Sequence, residues 1–237
     1  MQIEANDGKA LTVTVDGVSY ERLPLRTEVV FAGDDLTAIV VAAAGPLITA
    51  GDIVFVTEKI VAITQSRSYP VVDITPRKLA LLLASRVQKT PAGIGLSMPE
   101  TMEMALRECG VPRILLASAV AAVTKAFGRR GDFYRIAGPK ARGIDGPTPN
   151  TIAPYNTHVV LAPSRPSAVA ATIAAALGDT VDVAIVDIND LGGNVLGSTL
   201  SRRDDALVAQ ILRDNPLGQG SQSTPLGIIR RAFTANE

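Results

Sequence analysis

Ile53-Val54-Phe55-Val56-Thr57, running straight into Glu58-Lys59, is the stretch from which the fold is read. It is an apolar, β-branched run and reads as a buried strand. A second run of the same kind spans 181–186, ends on Asp187, and is followed by Asn189, Asp190 and Gly192-Gly193. Shorter runs predict strands at 114–117, 158–162 and 227–230. At the start of the chain Leu11, Val13 and Val15 alternate with threonines, Asp16-Gly17 supplies a type I′ turn, and Val18-Ser19-Tyr20 returns. That pattern predicts a β-hairpin.

Helix signals lie between these strands. Ala32-Gly33-Asp34-Asp35 caps an Ala/Val-rich helix that runs to about Ala44 and stops at Gly45-Pro46. Thr75 before Pro76 predicts a helix towards Arg86, and Ser97 with Glu100 reads as a capping box opening a helix that ends at Gly110. Two more are expected at 167–177, closing on Gly178, and at 202–212, ended by Asp214-Asn215-Pro216. The alternation lacks the regular βαβ spacing of a doubly wound sheet, so the fold class expected is α+β, with mixed sheets and helices. From 127 to 156 five glycines and four prolines predict a long binding or disordered loop.

Composition narrows the functions open to the chain. Its 237 residues, 47% of them apolar, suffice for one large domain or two small lobes. Twenty-three basic residues balance twenty-three acidic ones, which argues against a nucleic-acid partner. Cys109 is the only cysteine, so neither an internal disulfide nor a thiolate metal cluster is available, and a reducing compartment fits. Glu4, Asp7, Lys9 and Asp16 mark the first residues as no signal peptide, and the apolar run 114–123 is shorter than the roughly 20 residues that span a bilayer. A cytoplasmic protein without membrane contact is expected.

Candidate chemistry is concentrated in carboxylates. There is no GxxxxGK[ST], no GxGxxG between a strand and a helix, and no GxSxG. Gly218-Gln219-Gly220-Ser221 follows a proline-stopped helix and reads, on spacing alone, as a plain loop. His158, the only histidine, opens a strand and reads as structural, and Cys109 at a helix end reads as buried and inert. Asp187, closing an apolar run ahead of glycines, suits either a hard divalent cation or an ordinary turn. Asp145, between Gly143 and Gly146, could add a second carboxylate, and Lys59 could meet a phosphate or lie idle on the surface.

In order along the chain, Leu23-Pro24, Gly33-Asp34-Asp35-Leu36, the run from Gly51 to Val61, Gly143-Ile144-Asp145, Val159-Val160-Leu161-Ala162-Pro163, Ile185-Val186-Asp187, Leu217-Gly218-Gln219 and Ile228-Ile229-Arg230 form a collinear set. The set resembles the coenzyme F-420-0:L-glutamate ligase family, the γ-glutamyl ligases of deazaflavin cofactor synthesis. The resemblance implies a single domain over 1–237 made of two interwoven lobes, a homodimer, and GTP with Mg²⁺ or Mn²⁺ as cofactors. It implies that L-glutamate is joined to the deazaflavin cofactor precursor through an acyl phosphate. By position, Asp145, Asp187 and Gln219 would hold metal. Leu23, Pro24, Leu25, Arg26, Glu58, Lys59 and Thr148 would contact the nucleotide, together with Leu217, Gly218, Gln219, Gly220, Ser221 and Gln222. The chain departs from the family where Ile63 replaces a second lysine, Thr148 an asparagine and Ile188 a threonine. The run from Asn189 to Asn194 also replaces a different family run, and the segment that follows it in the family and helps form the catalytic cleft is missing before the last helix. A paralogous ligase on another acid and amine, or a non-catalytic nucleotide- or metal-binding relative, are the alternatives.

Overall fold

A computed structural model describes residues 3–87, 95–129, 131–189, 192–218 and 222–232. The chain opens with β1 (Thr12–Val15), β2 (Val18–Leu25), α1 (Leu36–Ala44), β3 (Ile53–Thr57) and α2 (Glu58–Thr64). Next come β4 (Ser68–Pro70), α3 (Lys78–Ala84), α4 (Pro99–Cys109), α5 (Val111–Ala126), α6 (Asp132–Ala137), α7 (Pro139–Arg142) and β5 (His158–Val160). It closes with α8 (Pro166–Ala176), β6 (Asp182–Asn189), β7 (Gly192–Ser198), α9 (Arg202–Ile211) and β8 (Leu226–Arg231). Two compact units result: residues 1–66 with 163–237, and residues 67–162. The second is inserted in the sequence of the first. The α+β class expected from the sequence is what the chain adopts.

In the first unit six strands lie in the order β1-β2-β8-β3-β6-β7. Only β3 and β6 are parallel; the other neighbours run antiparallel. Phe55, Ala184, Val186 and Ile229 point to one face, where Val208, Ile211 and Leu212 of α9 and its end cover them. The alternate residues Val54, Val56, Val183, Ile185 and Ile228 are equally buried. Strands covered on both faces must be apolar at every position, which is why 53–57 and 183–186 lack alternation. Gly227 is needed where β8 passes Phe55: a Cβ there would lie 2.6 Å from the Phe55 ring and 2.7 Å from the Leu23 carbonyl oxygen.

The second unit holds a two-stranded ladder, β4 with β5, and the helices α3 to α7. Its core is built from Leu96, Met102, Leu106, Ile114, Ile144, Val159 and their neighbours. Several expectations are corrected in this unit. The run 114–117 lies inside α5, not in a strand. A short apolar run carries no period of its own, and here the alanines that follow and Pro112 in the first turn favour a helix. Gly110, at φ +85°, turns the chain between α4 and α5. Helix α4 starts at Pro99 behind Met98, so Ser97 is not its cap; the Thr101 hydroxyl bonds the Gly95 and Met98 carbonyls at 2.6 and 2.9 Å. Helix α3 begins at Lys78, two residues after Pro76, because the Arg77 N–H donates to the Glu103 carboxylate at 3.1 Å. The stretch 127–156 is not structureless: it contains α6 and α7.

No single helix among the described residues is long and apolar enough to cross a membrane; α4 and α5 reach that length only as a pair bent by 118°.

Candidate functional site

The register of the first unit's sheet decides which of the expected residues meet. Leu25 of β2 pairs with Leu226 of β8, Leu226 with Val56 of β3, and Val56 with Ile185 of β6. The carboxyl ends of β2, β3 and β6 therefore share one end of the sheet with the start of β8. Arg26, Glu58 and Lys59 follow the ends of β2 and β3, Asp187 lies in the last part of β6 just past the Thr57–Val186 pair, and residues 222–225 lead into β8. Backbone bonds hold this end together: Thr57 N–H to the Pro225 carbonyl at 2.9 Å and Thr27 N–H to the Ser223 carbonyl at 3.0 Å. The Ser223 hydroxyl returns a bond to the Thr27 carbonyl at 2.8 Å.

The expected residues differ in what they can reach. Leu23 is half-buried on β2, Pro24 and Leu25 are buried, and only Arg26 of the four is exposed. Glu58 and Lys59 form the first turn of α2, half-buried directly after the strand. Leu217 is buried, Gly218 takes φ +75°, and Gln222 is half-buried. Gln219, Gly220 and Ser221 lie outside the described residues. Asp187 does not close its strand. It pairs with Asn194 in a β6–β7 hairpin, and Gly192-Gly193, read from the sequence as a turn, are the first residues of β7. Glycine permits that strand because a Cβ at Gly193 would meet the Ile188 side chain at 2.8 Å.

In the second unit Asp145 is fastened to β5: its N–H donates to the Val160 carbonyl at 2.8 Å and Val160 N–H returns a bond at 3.0 Å. Thr148 opens a turn in which Thr151 N–H donates to its carbonyl at 3.1 Å. His158 stands half-buried at the start of β5 with its ring 5.3 Å from that of Tyr155. Cys109 is half-buried rather than buried, and that burial, with the Glu108 carboxylate beside it, pushes its thiol pKa up and keeps it protonated. Glu108 itself is penalised by burial, yet the Lys140 and Arg67 bonds at 2.9 and 2.8 Å prevail and lower its pKa.

Asp145, Asp187 and Gln219 offer only carboxylate and amide oxygens, and Asn194 opposite Asp187 adds another amide. That donor chemistry fits a hard divalent cation and not zinc. Among the described residues no group of three or more His, Cys, Asp or Glu side chains converges by itself on a metal position.

Sequence reading misses the residues that hold the loop before β8. Asn6, buried, donates to the Pro216 and Leu217 carbonyls at 3.2 and 3.0 Å and to the Thr224 hydroxyl at 2.9 Å. Asn215, at φ +52°, donates to the Gly218 carbonyl at 2.9 Å. Asn215-Pro216 is visible in the sequence as a turn, but nothing there links it to Asn6, some 210 residues away.

A family model for F420-0:Gamma-glutamyl ligase matches residues 24–199. No curated protein matches the chain at a significant level. The match covers about three quarters of the chain and includes β2 from Pro24, β3, Lys59, Asp145 and Asp187. This chain therefore belongs to the F420-0:gamma-glutamyl ligase family.

Proposed function

We propose that the chain is a cytoplasmic, homodimeric ligase that uses GTP and Mg²⁺ or Mn²⁺ to join L-glutamate to the coenzyme F-420-0 precursor. The observation that carries this reading is the gathering of Arg26, Lys59, Asp187 and residues 222–225 at one end of the first unit's sheet. Lys59 is a point charge for the phosphates, and Arg26, with Leu23 to Leu25 behind it, offers a platform for base or ribose. Asp145, Asp187 and Gln219 are assigned to the cation, which when bound neutralises phosphate oxygens and orients them.

The substrate carboxylate oxygen attacks the γ-phosphorus and GDP leaves, giving an acyl phosphate. The glutamate amine then attacks the acyl carbon, the C–O bond to phosphate breaks, inorganic phosphate departs, and the ammonium proton passes to water. The chain's part is to align the carboxylate with the γ-phosphate and to keep water out until the amide forms. A second reading is favoured by one feature: the β6–β7 hairpin leads to α9 without the segment of the cleft that the family has before its last helix. On that reading the acid joined to the amine is a different one.

Incubation with GTP, Mn²⁺, glutamate and the precursor tests the first reading by phosphate release and by the mass of a new amide. Asp187→Ala is expected to abolish turnover and to weaken Mn²⁺ by about 100-fold, at or beyond the upper range for losing an outer partner of a metal site. Its unfolding temperature without metal should match the parent's. An Asp187→Ala protein that binds Mn²⁺ and turns over as the parent does removes Asp187 from the site.

A further inference from the structure

Asn6 and Lys9 precede the stretch that the family model matches, 24–199, and the loop before β8 follows it. The first unit brings the two together. Asn6 is 6% exposed, and its amide nitrogen faces three acceptors: the Pro216 carbonyl at 3.2 Å, the Leu217 carbonyl at 3.0 Å and the Thr224 hydroxyl at 2.9 Å. The Thr224 hydroxyl in turn donates to the Leu217 carbonyl at 3.1 Å. Asn6, Leu217 and Thr224, all buried, thus close a ring of bonds that ties one end of the loop to the other. A side-chain amide has two N–H bonds, so this donor is wholly spent on one loop.

The segment that carries Asn6 is itself anchored. Lys9 Nζ donates to the Asp214 carbonyl at 2.8 Å. Arg22 of β2, 1% exposed, donates to the Ala10 carbonyl at 2.7 Å, to the Ile211 carbonyl at 3.1 Å and to the Asp214 carboxylate. Residues 6–10 therefore form a strap over the turn that ends α9. Beyond Thr224 the bonds continue into the sheet. Ser223 accepts from Thr27 N–H at 3.0 Å and Pro225 from Thr57 N–H at 2.9 Å. Thr27 follows Arg26 directly, and Thr57 precedes Glu58 and Lys59. Residues 223–225 thus bridge the ends of β2 and β3, and Asn6 holds the bridge from behind.

We infer that Asn6 is a positioning residue: by fixing Leu217 and Thr224 it sets the places of Arg26 and Lys59, and with them the affinity for a nucleoside triphosphate and its cation. Asn6 touches no substrate and acts through the backbone of 223–225. An amide is needed there, because a carboxylate of the same shape would set an oxygen against two carbonyl oxygens. The inference rests on the nucleotide site of the proposed function.

The test compares the parent with Asn6→Asp, Thr224→Val and Ile173→Val by thermal unfolding, by hydrogen exchange at the Thr27 and Thr57 amides, and by titration with a fluorescent GTP analogue and Mn²⁺. Ile173 is buried on α8, which packs on β6, β7 and α1, so Ile173→Val supplies a loss of stability from elsewhere in the unit. Asn6→Asp and Thr224→Val should speed exchange at both amides and weaken the analogue, each by about tenfold more than Ile173→Val does. Thr224→Val removes the same junction more gently and decides the matter should Asn6→Asp fail to fold. A parent that binds no nucleotide overturns the proposed nucleotide site and this inference with it. A parent that binds, with variants that lose no more affinity than Ile173→Val, overturns the inference alone and leaves Asn6 a structural residue. Weaker binding with unchanged exchange at Thr27 and Thr57 overturns the route through 223–225 and so the inference.

Discussion

Glu103 shows how one buried charge is made tolerable. It is 1% exposed on α4, and burial alone would raise its pKa, yet the carboxyl is held at about 2. Arg77 contributes most to that, through Nε at 2.9 Å and Nη2 at 2.8 Å and through its own N–H, and Arg107 adds Nε at 2.8 Å. A folded pKa depressed below the ordinary 4.5 adds stability that is full above pH 4.5 and is lost as pH falls towards 2. Thermal unfolding followed across that window should therefore show the transition dropping with acid, and Glu103→Gln should flatten part of the drop. At neutral pH Glu103→Gln should cost about 2 kcal/mol, the order of one charged hydrogen bond, since both arginines are half exposed and can be rehydrated. A variant as stable as the parent at pH 7 leaves Glu103 without this role. Nothing in the sequence around Glu103 marks it: a glutamate on an amphipathic helix reads as solvated, and its partner Arg77 is 26 residues distant.

At the scale of elements, chain-local signals were legible and partner-dependent ones were not. The hairpin of β1 and β2 is written in its alternation and in Asp16-Gly17, with Asp16 at φ +50°. Helix α1 follows its Asp35 cap, whose carboxylate accepts from Ala38 N–H at 3.0 Å. Strands β3 and β6 are plain because burial on both faces leaves their middles, 54–56 and 183–186, without a polar residue. The 114–117 run misleads because an apolar quartet is equally at home in a helix, and β7 is hidden because Gly192, Gly193 and Gly197 resemble turn formers. Each is settled by what lies across from it. The lesson applies to Asp187, whose place is set by Asn194 opposite it and not by the end of an apolar run. Gly227 gives the sharpest test of such contacts. Gly227→Ala should destabilise by about 1–3 kcal/mol, because the added methyl meets both the Phe55 ring and the backbone of β2. Denaturant unfolding measures this, and a change under about half a kcal/mol would mean the strands separate freely there.

At the scale of the molecule the chain leaves the first unit once and returns once. Both crossings are stapled. Gln65 donates to the Ser164 carbonyl at 2.9 Å and accepts from Ser164 N–H at 2.7 Å within the first unit. Just beyond, within the second, Arg67 Nε donates to the Ala162 carbonyl at 2.6 Å and Leu161 N–H to the Arg67 carbonyl at 2.9 Å. With no linker at either crossing, residues 1–237 are expected to resist cleavage there as one domain. Brief digestion with a nonspecific protease should spare 64–68 and 160–165, and two stable fragments parted at those positions would count against a single domain.

The strand order has a further consequence for how the chain is made. β8, at 226–231, lies between β2 and β3, so the middle of the sheet is translated after the other described strands. While the ribosome is still at work, β2 and β3 have already emerged, each with an open edge that nothing earlier in the chain is built to cover. Residues 67–162 form a compact unit and can settle during synthesis, whereas the sheet waits for β8. A stall or premature stop just before Leu226 would release a chain with a finished insert and a sheet gaping at its centre, a substrate for chaperones and proteases.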